Sequence, residues 1–180
     1  MSLLLCSLLF ASESTQSKTA SQYGNISVNE DFISFSGWTL DGNNVSLSSI
    51  LKQEQQPDVI IISYFATWCG PCRKGMPHIE ALAQSDPKIS ALYISIDSIQ
   101  DENKLKPFVK ELELKSPIIW DKHKVIAKRH GIISQETQSS SISIPKTFVV
   151  DETGKTLSIF VEEGDDFSEQ LKEVVTQSRQ

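Results

Sequence analysis

The run Asp58-Val-Ile-Ile-Ile-Ser-Tyr-Phe65 is almost entirely β-branched or aromatic. A strand with one wet face alternates apolar and polar residues, so an unbroken apolar run of this length predicts a strand buried on both faces. Such a strand belongs in the middle of a sheet. Directly after it stand Trp68-Cys69-Gly70-Pro71-Cys72 and a helical pattern through Met76, Ile79, Leu82 and Ala83, in which Pro77 is expected to introduce a kink.

The rest of the chain supplies partners for that strand. Phe32 to Phe35, Trp38 to Leu40 and Val45 to Leu47, with Asp41-Gly42-Asn43-Asn44 as turn residues, predict an N-terminal β-hairpin. Ile89 to Asp97 reads as a second core strand, Asp101 to Leu114 as an amphipathic helix containing Pro107, and Pro117 to Trp120 as a short strand. Lys122 to His130 reads as a helix stopped by Gly131. Lys146 to Asp151 and Thr156 to Val161, joined through Gly154, predict an antiparallel hairpin, and Asp166 to Gln177 a closing helix. Strands alternating with helices imply an α/β fold whose central sheet is covered on both faces.

At 180 residues, 39% hydrophobic and 22% charged, the chain suits one globular domain. A net charge of -6, with scattered Lys and Arg, gives no footprint for nucleic acid. The apolar stretch near the start is far shorter than the roughly 20 residues of a membrane span and has the length of a signal-peptide core. Residues 1–14 are therefore expected to be an export signal and residues 15–29, rich in Ser, Thr and Gln, a flexible leader. The folded domain is expected over 30–180.

With Cys6 inside the signal, Cys69 and Cys72 are left as a pair three residues apart. Placed where a strand ends and a helix begins, the first sulfur meets unpaired N–H groups and the positive end of the helix dipole, which favour thiolate over thiol. Lowering a cysteine pKa from about 8.5 to about 7 is worth roughly 2 kcal/mol. Cys69 is thus the expected nucleophile, and Cys72, one turn along, the resolving thiol. Half of a zinc site would need further ligands, and His78, His123 and His130 lack the spacing for one. No metal or other cofactor is expected.

These residues resemble the thioredoxin superfamily, and particularly its exported TlpA/ResA-type thiol-disulfide reductases. The likeness runs from about Phe32 to Val175. It rests on Tyr64 through Cys72, Pro77, Ile96-Asp97, Ile144-Pro145 and Phe148 through Gly154. It implies a thioredoxin fold with an N-terminal hairpin and an inserted helix and strand over about 101–120. It also implies that Ile144-Pro145 is a cis-proline loop facing the cysteines and binding substrate backbone, and that Trp68, Gly70 and Pro71 belong to the active site. Two acids found among such proteins are missing: Ser63 and Gly75 occupy their positions. No general base for Cys72 is assigned. Asp97 could serve, although it reads more simply as a strand-end residue.

The resemblance implies a dithiol reductase of protein disulfides in the bacterial periplasm, re-reduced by a membrane thiol transporter. The alternatives are a disulfide oxidase or isomerase, and a binding or chaperone module whose cysteines staple a turn. A peroxidase would place a threonine three residues before the reactive cysteine, where this chain has Ala66. The segment from Ser134 to Ser143 is expected to border the substrate groove.

Overall fold

A computed structural model describes residues 16–134 and 141–180 of the chain. The expected export signal and the interior of the Ser134 to Ser143 segment lie outside the described residues. In chain order the elements are β1 (Lys18–Thr19), β2 (Gln22–Tyr23), β3 (Ile26–Ser27), β4 (Ser36–Trp38), β5 (Asn44–Ser46), α1 (Leu47–Leu51), β6 (Val59–Phe65) and α2 (Gly70–Ser85). They continue with β7 (Ile89–Ser95), a 3-10 turn (Ile99–Asp101), α3 (Glu102–Glu111), β8 (Ile118–Trp120), α4 (Val125–Arg129), β9 (Lys146–Asp151), β10 (Thr156–Glu162) and α5 (Phe167–Gln177).

Six strands form one mixed sheet in the order β1-β10-β9-β6-β7-β8. The apolar run takes the position its composition predicts, since β6 lies between parallel β7 and antiparallel β9 with all seven residues buried. Its alternating side chains divide the interior into two cores. Ile60, Ile62 and Tyr64 pack with Phe32, Phe35 and Phe148 and with residues of α1 and α4. Val59, Ile61 and Phe65 face α2, α3 and α5, meeting Met76, Ile79, Phe108, Phe167 and Leu171. Helices therefore cover both faces, as the alternation of elements implied. α2 continues through Pro77 to Ser85 without ending there.

Three expectations change. Residues 15–29 were expected to form a flexible leader ahead of the folded domain. Instead Lys18 and Thr19 extend the sheet edge beside Glu162 and Phe160, and the Ser17 amide donates to Asp166 Oδ1 at 2.6 Å. Ile26 is 1% exposed. Edge pairing uses backbone groups, so a Ser- and Thr-rich segment can join a sheet with only a few apolar anchors, here Ile26 with Tyr23 and Val28 packed beside it. The N-terminal hairpin is the short pair β4 and β5, while Phe32 and Phe35 plug the core from outside any strand. α4 starts only at Val125, because Asp121 accepts the Val125 and Ala127 amides at 2.8 Å each and Lys124 takes a left-handed conformation with φ 59°. Among the described residues no helix is long and apolar enough to cross a membrane.

Candidate active site

One end of the sheet gathers the chemistry. β6 finishes at Phe65, and Tyr64 lies opposite Lys146 in the register, so Pro145, just before β9, sits beside the point where the Cys69 loop leaves β6. β7 ends on the other side, where Ser95 is opposite Phe65. Asp97, just beyond, fastens the loop. Its carboxylate accepts the Thr67 amide at 3.0 Å and the Thr67 and Ser95 hydroxyls at 2.7 and 2.8 Å. The Trp120 indole donates to the Asp97 carbonyl at 3.0 Å. Asp97 is thus a structural clamp on the residues preceding the cysteines, in keeping with its reading as a strand-end residue.

Cys69 is the N-cap of α2, and its Sγ accepts the Cys72 amide at 3.2 Å. Gly70 and Pro71 occupy the first helical positions, where proline's missing N–H leaves no bond unmade. The two sulfurs are joined in a disulfide. Both cysteines are buried, Cys69 at 4% and Cys72 at 1% exposed. Trp68, 59% exposed, stands beside them with Gly70 and Pro71 on the surface. Arg73, the nearest cation along the helix, is drawn away to Glu111 and stacks 4.6 Å over the Phe108 ring.

The Ile144-Pro145 bond is cis. Pro145 is buried, and Ile144 is partly buried where the two cores meet. Lys146, 3% exposed, holds this loop from behind: its Nζ donates to the Ser143 hydroxyl and to the carbonyls of Pro145 and Val161 at 2.9, 3.0 and 2.6 Å. All seven expected site residues therefore belong to the same end of the sheet.

One group at this end was absent from the sequence reading. The Thr147 hydroxyl, 3.0 Å from that of Ser63, donates to Glu163 Oε1 at 2.6 Å. Glu163 follows β10, far from the cysteines in sequence. Burial pushes its carboxyl up to about 7, against the opposing pulls of the Thr147 hydrogen bond and the Lys146 charge. The signal that could have drawn attention to this region is Gly75, a glycine inside an otherwise regular helix.

Residues 28–158 match the AhpC/TSA family. The chain belongs to the AhpC/TSA family. Among relatives, the thiol-disulfide oxidoreductase ResA of Bacillus thuringiensis is 30% identical over 114 residues, which is 63% of this chain and 60% of that protein. The chain thus spans about 60% of the length of this curated relative. A thiol:disulfide interchange protein of Chlorobium tepidum aligns with a TM-score of 0.63 and 22% identity, covering 83% of this chain and 96% of its own. The peroxidoxin BcpB of Mycobacterium tuberculosis aligns with a TM-score of 0.67 and 18% identity, covering 86% and 97%. These structures establish a thioredoxin fold for this AhpC/TSA chain.

Proposed function

We propose that the chain is a thiol-disulfide oxidoreductase that reduces protein disulfides by exchange through Cys69 and Cys72. The observation that carries this reading is the Cys69 sulfur at the N-cap of α2, hydrogen-bonded by the Cys72 amide and joined to the Cys72 sulfur. In the reduced protein the same amide and the helix dipole favour a Cys69 thiolate, the attacking species. The thiolate attacks a substrate disulfide, forming a mixed disulfide and releasing one substrate sulfur. Cys72 then forms the Cys69–Cys72 bond and releases the other. Trp68, Gly70 and Pro71 supply the surface around the attacking sulfur, and Ile144 and Pro145 the backbone that receives the substrate.

The peroxidase reading finds little support in the arrangement. Ala66 offers no hydroxyl, and that of Thr67 is committed to Asp97. Location outside the cytosol is supported by the signal-like apolar stretch near the start of the sequence, and an exported reductase in turn calls for a donor of electrons at the membrane, for which we propose a thiol transporter. Reduction of insulin by the purified protein tests the activity, and a Cys72→Ser variant, which has no resolving thiol, should trap substrates on Cys69. Absence of both turnover and trapped species would leave the binding-module reading as the better one.

A further inference from the structure

Gly75 is buried on the inward face of α2, one turn beyond Cys72. A Cβ placed there would lie 1.9 Å from Glu163 Oε2 and 2.9 Å from its Cδ. No other residue fits without displacing the carboxylate, so the glycine forms the slot into which Glu163 reaches. The other side of the slot is polar. Ser63 and Thr147 share a face of the sheet with Ile61, Phe65 and Val149, which face α2, and their hydroxyls lead to Glu163 Oε1. Ser63 and Gly75 are the two positions at which the resemblance led one to expect an acid. Here a carboxylate arrives between them from a third position, at the end of β10.

We propose that Glu163 accepts the proton of Cys72 during resolution. The inference rests on the exchange activity proposed above. With substrate bound to Cys69 as a mixed disulfide, the Cys72 thiol passes its proton to the Glu163 carboxylate. The Cys72 sulfur bonds to the Cys69 sulfur, the bond from Cys69 to the substrate breaks, and the substrate sulfur leaves with that electron pair as a thiolate. Glu163 then returns its proton to solvent or to the departing thiolate. Three residues, a rise of about 4.5 Å along the axis, separate Gly75 from Cys72, short enough for a single bridging water to carry the proton.

A base that works near neutral pH should have a proton affinity near neutrality, and burial moves Glu163 there. The titratable and charged groups around it are Lys146 from β9 and Tyr93 from β7, with Cys72 a turn before Gly75 on α2, Glu80 of α2 beyond Tyr93 and Glu162 before it at the end of β10. α5 presents the apolar ring of Phe167 at the same slot. Lys146 is held by three oxygen acceptors, and the Tyr93 hydroxyl donates to the Met76 carbonyl and Glu80.

Mixing the reduced protein with Ellman's reagent in a stopped-flow instrument separates two releases of thionitrobenzoate, the first from attack by Cys69 and the second from resolution by Cys72. The second phase should rise with pH through an inflection near 7. Glu163→Gln should slow it on the order of 100-fold at neutral pH and remove the inflection. Gly75→Ala, which displaces the carboxylate by a methyl group, should act in the same direction. Gly75→Glu combined with Glu163→Ala, which returns a carboxylate from α2, should recover most of the rate. Lack of a first phase in the unaltered protein overturns the exchange activity itself. A normal first phase followed by an unchanged second phase in Glu163→Gln overturns only the part given to Glu163. So does equal slowing at every pH with the inflection intact.

Discussion

The Thr67 hydroxyl and the Asp97 carboxylate are hydrogen-bonded at 2.7 Å, which ties the turn carrying Trp68 and Cys69 to the end of β7. The same carboxylate accepts the Thr67 amide and the Ser95 hydroxyl, and Asp97 is fully buried. Asp97→Ala strands three donors at once, each costing on the order of 1–3 kcal/mol when unsatisfied and buried. A loss of about 3 kcal/mol in denaturant unfolding is expected, with Thr67→Val losing about 1 kcal/mol because the amide bond survives. A Cys69 thiol whose reactivity collapses in Asp97→Asn while stability is kept would make Asp97 chemical rather than structural.

In the reduced protein Cys69 should alkylate with iodoacetamide faster than Cys72 by on the order of tenfold at neutral pH. Its sulfur has the helix-cap amide and the residue is slightly the more exposed of the two, whereas Cys72 lies on the buried face of α2. Peptide mapping after brief labelling reads the ratio directly. Faster labelling of Cys72 would reverse the assignment of nucleophile and resolving thiol.

Local chemistry made β6, the Cys69 cap and the β9–β10 hairpin legible in the sequence, because each depends on neighbours along the chain: an apolar run, a cysteine spacing, Gly154 at φ 94°. Pro145 was legible only through family likeness. What stayed hidden depends on long-range pairing. Residues 18–27 join the fold largely through backbone pairing with β10, which carries no side-chain signature, and through a few scattered apolar side chains such as Ile26. The start of α4 is decided by where the Asp121 carboxylate points. Glu163 looks like one more acid in a run of surface acids, and only the fold brings it under Gly75.

Two buried groups give stability opposite dependences on pH. His130 is fully buried with Nδ1 bonded to the Tyr64 hydroxyl, and burial first, then the Arg129 charge, pushes its pKa down from 6.5 to about 4. Between those values the unfolded chain binds the proton and the folded one does not, so stability is lost as pH falls from 6.5 to 4. Glu163 is shifted the other way, from 4.5 to about 7. Its folded form holds the proton longer, so stability is lost as pH rises across that range. At 1.36 kcal/mol per pH unit the His130 effect reaches about 3 kcal/mol, and that of the partly exposed Glu163 somewhat less. From about pH 4.5 to 6.5 the two should nearly cancel. Urea unfolding of the oxidised protein should give a flat profile there, with Glu163→Gln losing stability toward acid and His130→Gln losing it toward neutral pH. Asp121, pushed upward by burial, contributes equally to all three proteins. Parallel profiles for the three would refute both assignments.

The Cys69–Cys72 pair should be reducing. Potentials among such proteins run from about -270 mV for thioredoxin to about -120 mV for the strongest oxidant, and the oxidant end is reached by stabilising the reduced form through its thiolate. At roughly 30 mV per 1.4 kcal/mol, that range corresponds to about 7 kcal/mol. The structure offers the Cys69 sulfur one amide and the helix terminus. The cation best placed to add to them, Arg73, is tied to Glu111 and Phe108 instead. Gly70-Pro71 and Ile144 match reductive thioredoxins as well. Equilibration against defined glutathione mixtures should therefore give a value nearer -270 than -120 mV. Arg73→Ala should leave it within about 20 mV, because a surface charge already paired elsewhere contributes less than about 1 kcal/mol to the thiolate. A potential more oxidising than about -180 mV, the level of protein disulfide isomerase, would favour oxidase or isomerase activity over reduction.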